Sequence, residues 1–146
     1  MPHDALWAAI KTILATLFPP APAQPAADPL SQQIITCATT VSTVLGSGLP
    51  EVIYENALAH ELRKAGLCVC QKQAVVACYD GKIVGDYTAD LLVQDDVLIE
   101  LKAVKGSNAF DPTQCTNYLK ATGRTRLLLL NFSDSGLQAQ CMTNGS

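Results

Sequence analysis

The chain has 146 residues, of which 49% are apolar and 16% charged, and this composition fits one globular domain rather than a disordered chain. Its net charge of −3 excludes a general attraction to polyanions, so any contact with nucleic acid requires a local basic patch. The six cysteines form no CxxC motif, and the two histidines complete no zinc-site spacing. These features favour reduced thiols in a cytoplasmic protein over a disulfide scaffold or a zinc site.

Residues 1–29 differ in composition from the rest of the chain. The apolar segment ALWAAIKTILATLF carries one charge and is too short to span a bilayer. The Pro- and Ala-rich stretch after it is typical of an extended linker. Asp4 and the scarcity of positive charge near it argue against a signal peptide. We therefore expect an N-terminal extension over residues 1–29, no membrane association, and a compact domain over residues 30–146.

Helix and turn signals divide the compact domain into eight elements. Gly46, Pro50 and Gly66 bound two predicted helices, and Asp80-Gly81 predicts a tight hairpin between two strands. The predicted elements are helices at 30–45 and 51–66, strands at 67–79, 82–93 and 97–104, a helix at 113–121, and strands at 124–132 and 136–142. In the second helix, an apolar stripe is predicted from Val52, Ile53, Ala57, Leu58 and Leu62. This order predicts a mixed α/β fold with an antiparallel three-strand meander followed by a helix and a strand.

Two charged residues interrupt the apolar strand DVLIELKAV. Glu100 and Lys102 share one face of this strand, because side chains alternate between faces. If residues 94–96 form a three-residue loop, Val93 pairs with Val97 and Asp90 falls opposite Glu100. A two-residue turn would instead place Asp90 opposite Leu101, so the register decides whether the two carboxyl groups meet.

Two carboxylates held this close repel each other, and partial burial raises the cost of ionising both. A divalent cation would offset the repulsion, because clustered oxygen donors suit Mg²⁺ or Mn²⁺. The alternative is that Glu100 and Lys102 form a surface ion pair on an edge strand, which would contribute little to stability.

These residues resemble the acidic motif of the PD-(D/E)XK nuclease superfamily, with Asp90 on one strand and the triplet Glu100-Leu101-Lys102 on the next. The stretch GLPEVIY supplies Gly48, Glu51 and Tyr54, which are similar to the GxxExxY pattern of a small bacterial family in that superfamily.

Further stretches also resemble that family, and together they run from about residue 34 to residue 132. They are YENALAHELRKAGL, GDYTADLLV, VLIELKAV and NYLKATG. The chain departs from the family's stretches in two places. Ser42 stands where the stretch VHxxLGxG has histidine, and AFDPTQC, which leads into Gln114, is not an obvious match.

The resemblance implies a restriction-endonuclease-like core and a metal-dependent active site. In it, Asp90 and Glu100 would hold Mg²⁺ or Mn²⁺, with the carbonyl of Leu101 nearby. Lys102 would orient or activate the attacking water. Such a division of roles suits phosphodiester hydrolysis, in which a metal lowers the pKa of bound water and offsets charge on the phosphate.

A glutamate from the second helix often reaches the metal in this superfamily. Glu51 and Glu55 lie one helical turn apart, so either could serve, and Glu51 is slightly preferred as the motif residue. Glu55 could instead complement the helix dipole. Gln114 and Tyr118 have the QxxxY spacing of RecB-like exonucleases and could face the site or DNA, although core packing is an alternative for Tyr118.

Residues 100–126 supply the local basic patch, with five basic residues against two acidic ones. From this stretch we expect Lys105, Lys120 and Arg124, together with Tyr118, to contact nucleic acid.

The predicted function is metal-dependent hydrolysis of phosphodiester bonds in nucleic acid, with DNA favoured over RNA. A single compact domain contains no obvious sequence-reading module, so a homodimer or a protein partner would supply specificity. The alternative is a non-catalytic module that keeps the nuclease fold for binding or regulation, because a fold by itself does not establish a function.

Overall fold

The computed structural model describes residue 9, residues 28–104 and residues 112–144. Most of the predicted N-terminal extension, and the predicted contact residue Lys105, lie outside the described residues.

Within residues 28–104 and 112–144, eight elements follow one another in the order predicted from the sequence, and their ends differ from the predicted ones by a few residues. They are α1 (Pro29–Leu45), α2 (Glu51–Lys64), β1 (Val69–Tyr79), β2 (Lys82–Val93), β3 (Val97–Lys102), α3 (Pro112–Thr122), β4 (Arg126–Ser133) and β5 (Gly136–Thr143). Among the described residues, no helix combines the length and apolarity needed to cross a membrane.

The five strands form one mixed sheet in the order β1-β2-β3-β4-β5. Strands β1, β2 and β3 are antiparallel neighbours, β3 and β4 are parallel, and β4 and β5 are antiparallel. A parallel pair requires a crossover connection, and α3 lies in the one that joins β3 to β4. The predicted mixed α/β fold with its antiparallel meander is confirmed.

The turns between β1 and β2 and between β2 and β3 use left-handed backbone conformations. Asp80 and Gly81 have φ values of 54° and 72°, and the strand residues that flank them are paired. Gln94 and Asp95 have φ values of 55° and 51° in the turn between β2 and β3. Such pairs of positive φ values match the twist of the strands that they connect.

The loop between β2 and β3 has the predicted length of three residues. Val93 pairs with Val97, and the ladder continues to Leu91 and Ile99. The register on which the proximity of Asp90 and Glu100 depends is therefore confirmed.

The core occupies both faces of the sheet. On one face, α1 and α2 pack against the sheet through a cluster that includes Ile34, Leu58, Leu62, Leu91, Ile99, Leu101 and Leu130. On the other face, Cys115 and Leu119 of α3 pack against a second cluster that includes Leu92, Leu98, Leu127 and Leu129. The strands near the middle of the sheet are consequently apolar on both faces.

The predicted apolar stripe of α2 is wrong at its first turn. Val52 and Ile53 are 52% and 43% exposed, whereas Tyr54 and Glu55 are buried. Tyr54 donates a hydrogen bond to the carbonyl of Gly46 (2.6 Å) and stacks on Phe132. Tyr54 and Glu55 lie on the inner face of the helix because the hydroxyl and the carboxylate both have hydrogen-bond or ion-pair partners there.

Candidate active site at the carboxyl end of the parallel strands

The site begins where the β2–β3 ladder ends. One step beyond the Leu91–Ile99 pair, the register places Asp90 opposite Glu100. There Asp90 Oδ2 accepts a hydrogen bond from the backbone N–H of Leu101 (2.8 Å). The side chain of Asp90 thus takes a backbone donor of the neighbouring strand, and this contact fixes the carboxyl group beside Glu100.

Glu100 is a largely buried carboxyl group with an unusually high pKa. Burial is the main reason that its pKa rises to about 7, and the negative charge of Asp90 adds to the rise. A hydrogen bond from Tyr87 and the positive charge of Lys102 act in the opposite direction. Close to neutral pH, the group can therefore carry a proton or give it up.

Tyr87 connects Glu100 to α3. Its hydroxyl donates a hydrogen bond to Glu100 Oε1, and its ring stacks on Tyr118 with the ring centroids 4.7 Å apart. Burial and the neighbouring Glu100 raise the pKa of Tyr87, so the phenol stays protonated and remains a donor. This pair places an aromatic surface from β2 and α3 beside the two carboxyl groups.

Lys72 joins a third carboxyl group to the site. Its Nζ lies 2.7 Å from Glu55 Oε1 and 3.2 Å from Asp90 Oδ1. The side chains of Glu55 and Asp90 are 5% and 20% exposed, whereas that of Lys72 is 59% exposed. The hydrogen bond to Glu55 is the main reason that the pKa of Lys72 rises. One ammonium group therefore binds carboxyl groups from α2 and β2 and offsets part of their negative charge.

The backbone of β1 brings two successive residues to Glu55. Gln71 Nε2 donates to Glu55 Oε2 (2.9 Å), while Lys72 binds the other carboxylate oxygen. Successive side chains normally point to opposite faces of a strand. Lys72 has φ 54°, and this left-handed conformation interrupts the alternation. Sequence reasoning did not identify Gln71, Lys72 or Tyr87 as site residues.

A family model described as the PD-(D/E)XK nuclease superfamily matches residues 28–142. The chain belongs to the PD-(D/E)XK nuclease superfamily. Among curated proteins no match to the chain was found.

The crystal structure of SSO0001 agrees with the fold of this superfamily member. The crystal structure of SSO0001 has a TM-score of 0.50 and 12% sequence identity, and the match covers 94% of this chain. The chain spans 62% of the length of that protein. An alkaline exonuclease from Laribacter hongkongensis has a TM-score of 0.40 and 15% identity, with 84% of this chain and 73% of that chain covered.

The site residues predicted from the sequence fall into three groups. The first group lies where β2 and β3 run side by side, away from the turn that joins them, and contains Asp90, Glu100 and the backbone of Leu101. Glu55 is linked to this group by Lys72, which binds both Glu55 and Asp90. Lys102 is exposed at the end of β3, where its positive charge acts on Glu100. Glu51 is exposed in the first turn of α2, one helical turn from Glu55.

The predicted nucleic-acid contacts lie at different places. Tyr118 is 36% exposed and stacks on Tyr87 at the site, and Lys120 is exposed on the same helix. Arg124 binds the carboxylate of Asp95 (3.3 Å) in the β2–β3 turn, at the other end of β3 from Glu100. Gln114 lies within α3, but its side chain lies outside the described part of the structure.

The donor set suits a hard divalent cation after a rearrangement. Within the described residues, no group of three or more His, Cys, Asp or Glu side chains is arranged to hold a metal ion. Two carboxylate oxygens, from Glu55 and Asp90, nevertheless point at one shared cationic group, and Glu100 lies next to Asp90. Such oxygen donors are the ligands that Mg²⁺ and Mn²⁺ prefer. In this structure the ammonium group of Lys72 lies between the two carboxylates.

Proposed function

We propose that the protein is a metal-dependent nuclease that hydrolyses phosphodiester bonds in nucleic acid, with DNA as the preferred substrate and Mg²⁺ or Mn²⁺ as the cofactor. Support comes from the meeting of Asp90, Glu100 and Glu55 at the carboxyl end of β3, in a chain of the PD-(D/E)XK superfamily. We also propose that it belongs to the GxxExxY family, on the pattern formed by Gly48, Glu51 and Tyr54.

In this proposal the three carboxyl groups divide into fixed and adjustable ligands. Asp90 and Glu55 each have one oxygen bound to a neutral donor and the other directed at Lys72, which restricts their rotation. Glu100 would release its proton when it becomes a ligand, since burial keeps its pKa close to neutrality. A bound divalent cation would supply Lewis acidity toward the phosphate and a lowered pKa for water.

Lys102 is proposed to orient the attacking water. It follows Glu100 by two residues on the same face of β3, and its exposed ammonium group can meet a phosphate from solvent. As a compact cation with three donors, it can hold a water and offset phosphate charge at the same time.

The aromatic pair is proposed as the first contact for the substrate. Tyr118 is 36% exposed and stacks on Tyr87, which binds Glu100, and exposed tyrosine rings stack on bases of any sequence. Lys120 on the same helix would bind phosphate. Neither contact reads a base sequence, so we propose that a second copy of the chain or a protein partner supplies specificity.

The cellular setting proposed for this nuclease is the cytoplasm. The six cysteines are free thiols, and Cys68, Cys70 and Cys78 among them are exposed, as suits a reducing compartment.

A cleavage assay tests the proposed function. Linear and circular DNA and single-stranded RNA are incubated with the purified chain in Mg²⁺, in Mn²⁺ and in EDTA. Asp90→Asn and Lys102→Met should each lower cleavage by about a hundredfold or more, since each removes a group from the reacting centre. Exposed Asp134 and Lys82 provide the matched controls Asp134→Asn and Lys82→Met. Cleavage that persists in EDTA, or in both site variants, would refute the proposal, and absence of any metal binding would favour a non-catalytic module.

A further inference from the structure

Lys72 lies where two carboxylates need a positive charge. Glu55 is buried, and its two oxygens bind Lys72 and Gln71. Asp90 has the same arrangement, with one oxygen on Lys72 and the other on the N–H of Leu101. In both carboxyl groups, a neutral donor holds one oxygen, and the second oxygen faces the same ammonium group.

The position of this ammonium group depends on an unfavourable backbone conformation. Lys72 is a non-glycine residue with φ 54° in the middle of β1, where an extended conformation is the rule. Because of this conformation, Lys72 and Gln71 reach the same glutamate although they are neighbours in the strand. A strained residue persists only where its surroundings compensate for it, and here the compensation is contact with two anionic groups.

The same ammonium group is easily removed from the site. The side chain of Lys72 is 59% exposed and ends a flexible stem, so it can swing into solvent without opening the core. The carboxyl groups that it bridges are much less exposed and are held by their second oxygens. Departure of the lysine would leave two oriented oxygen donors beside Glu100 without a counter-ion.

We propose that Lys72 is an internal cation that occupies the place of the divalent metal between Glu55 and Asp90 and is displaced when the metal binds. The inference rests on the proposed function, because it assigns the metal to these carboxylates. Lys72 acts as a positioning residue: it keeps the carboxylates oriented and offsets part of their charge in the metal-free protein, and it competes with the metal for them.

Titration of the full-length, metal-free protein with Mn²⁺ in a calorimeter tests this competition. Lys72→Met removes the ammonium group and keeps the length of the side chain. The matched control is Lys64→Met, because Lys64 has the same 59% exposure and also pairs with a glutamate, Glu61. We expect Lys72→Met to bind Mn²⁺ about tenfold more tightly than wild type, since the ion no longer displaces a competing charge. Lys64→Met should bind like wild type, within about twofold, because its ion pair is exposed.

Thermal unfolding of the same proteins supplies a readout that does not depend on activity. In EDTA, Lys72→Met should melt below wild type, because Glu55 and Asp90 have lost their counter-ion, and saturating Mn²⁺ should close this gap. A Lys72→Met protein that is unfolded in EDTA and folds when Mn²⁺ is added gives the same support. One that stays unfolded in Mn²⁺ overturns the inference, as does Mn²⁺ binding by Lys72→Met that is equal to or weaker than that of wild type.

Cleavage assays on the same samples separate this inference from the proposed function. Equal or weaker Mn²⁺ binding by Lys72→Met, with metal-dependent cleavage by wild type, overturns the role of Lys72 and leaves the nuclease intact. Tighter Mn²⁺ binding by Lys72→Met, without cleavage by wild type, supports the role of Lys72 and refutes the nuclease.

Discussion

The Tyr87 hydroxyl donates a hydrogen bond to Glu100 Oε1 from the neighbouring strand. This donor stabilises the ionised carboxylate, but burial outweighs it, and the pKa of Glu100 still lies at about 7. At neutral pH, the protonated and ionised forms of Glu100 are therefore both populated, and this residue lies in the proposed metal site.

The first prediction concerns the pH dependence of folding in EDTA. The pKa of Glu100 is raised from 4.5 in its reference state to about 7 in the folded protein. Its favourable contribution is therefore complete below about pH 4.5 and is lost as the pH rises through about 7. The glutamine of Glu100→Gln does not ionise, so the variant does not undergo this loss. The free energy of unfolding of the variant minus that of wild type should therefore increase as the pH rises from about 4.5 to about 7, by roughly 3 kcal/mol at most.

Urea denaturation at a series of pH values checks this expectation. The exposed Glu51 provides the control, since Glu51→Gln removes one negative charge at a position away from the buried carboxyl groups. A Glu100→Gln profile parallel to wild type between pH 4.5 and 7 would contradict the assignment.

The second prediction concerns the donor to Glu100. Tyr87→Phe removes a hydrogen bond that favours the ionised carboxylate, so the pKa of Glu100 should rise further. The acid limb of the cleavage profile should then move to higher pH, while activity at high pH changes little. Tyr79→Phe is the control, because Tyr79 is 76% exposed at the end of β1. An unchanged acid limb would show that Glu100 does not set it.

The third prediction distinguishes the two glutamates of α2. Glu55 is buried and shares Lys72 with Asp90, whereas Glu51 is exposed one helical turn away. Glu55→Gln should lower kcat/KM for DNA cleavage by about tenfold to a hundredfold, through loss of a charged ligand. Glu51→Gln should stay within about threefold of wild type. A larger loss of kcat/KM in Glu51→Gln than in Glu55→Gln would indicate that Glu51, the residue of the GxxExxY pattern, binds the metal.

Much of the fold was predictable, because the local signals agreed with one another. Asp80-Gly81, Gly46 and Gly66 mark turns and helix ends, and α3 lies in the crossover that parallel strands require. The carboxyl pair of Asp90 and Glu100 followed from one loop length, since strand alternation then fixes which side chains are neighbours.

The part played by Lys72 could not be predicted in the same way. Counted from the Asp80-Gly81 turn, the register of the β1–β2 hairpin would place Gln71 opposite Asp90. A register shift between Ala77 and Cys78 instead brings Lys72 to that position, between the pairs Gln71–Leu91 and Gln73–Ala89. A bulge of this kind leaves a weak signal in the sequence, and the left-handed backbone of Lys72 leaves none.

The burial of Glu55 escaped prediction for a related reason. Helical periodicity favoured Val52 and Ile53 for the inner face, and both are exposed. Glu55 is buried because Lys72 and Gln71, from a distant part of the chain, satisfy its carboxylate. Tertiary partners of this kind decide the burial of polar groups, and a periodic pattern does not contain them.

The fourth prediction concerns Tyr54, the last residue of the GxxExxY pattern. Its hydroxyl donates to the carbonyl of Gly46 (2.6 Å) and accepts from the N–H of Leu49 (3.3 Å), so it holds the loop between α1 and α2. Tyr54→Phe should lower the free energy of unfolding by about 1–2 kcal/mol, as expected for a buried hydrogen bond, and should preserve cleavage. Denaturant titration and the cleavage assay check both parts. Loss of cleavage without loss of stability would contradict this structural role.

The fifth prediction concerns the chain as it leaves β3 next to Lys102. Asn131 is fully buried, and its amide group donates to the carbonyl of Val104 and accepts from its N–H, both at 3.1 Å. Asn131→Ala should lower the free energy of unfolding by about 1–3 kcal/mol, because the two hydrogen bonds between its buried amide group and the backbone of Val104 are lost.

A matched variant tests whether these bonds are responsible. Gln138 also accepts a hydrogen bond from Asn131 (3.1 Å), so Gln138→Met removes one neighbour and keeps both contacts with Val104. Its loss of stability should be smaller, within about 1 kcal/mol. Hydrogen exchange at the Val104 amide should accelerate in Asn131→Ala and remain slow in Gln138→Met. Slow exchange in both would mean that the backbone at Val104 is held in place without Asn131.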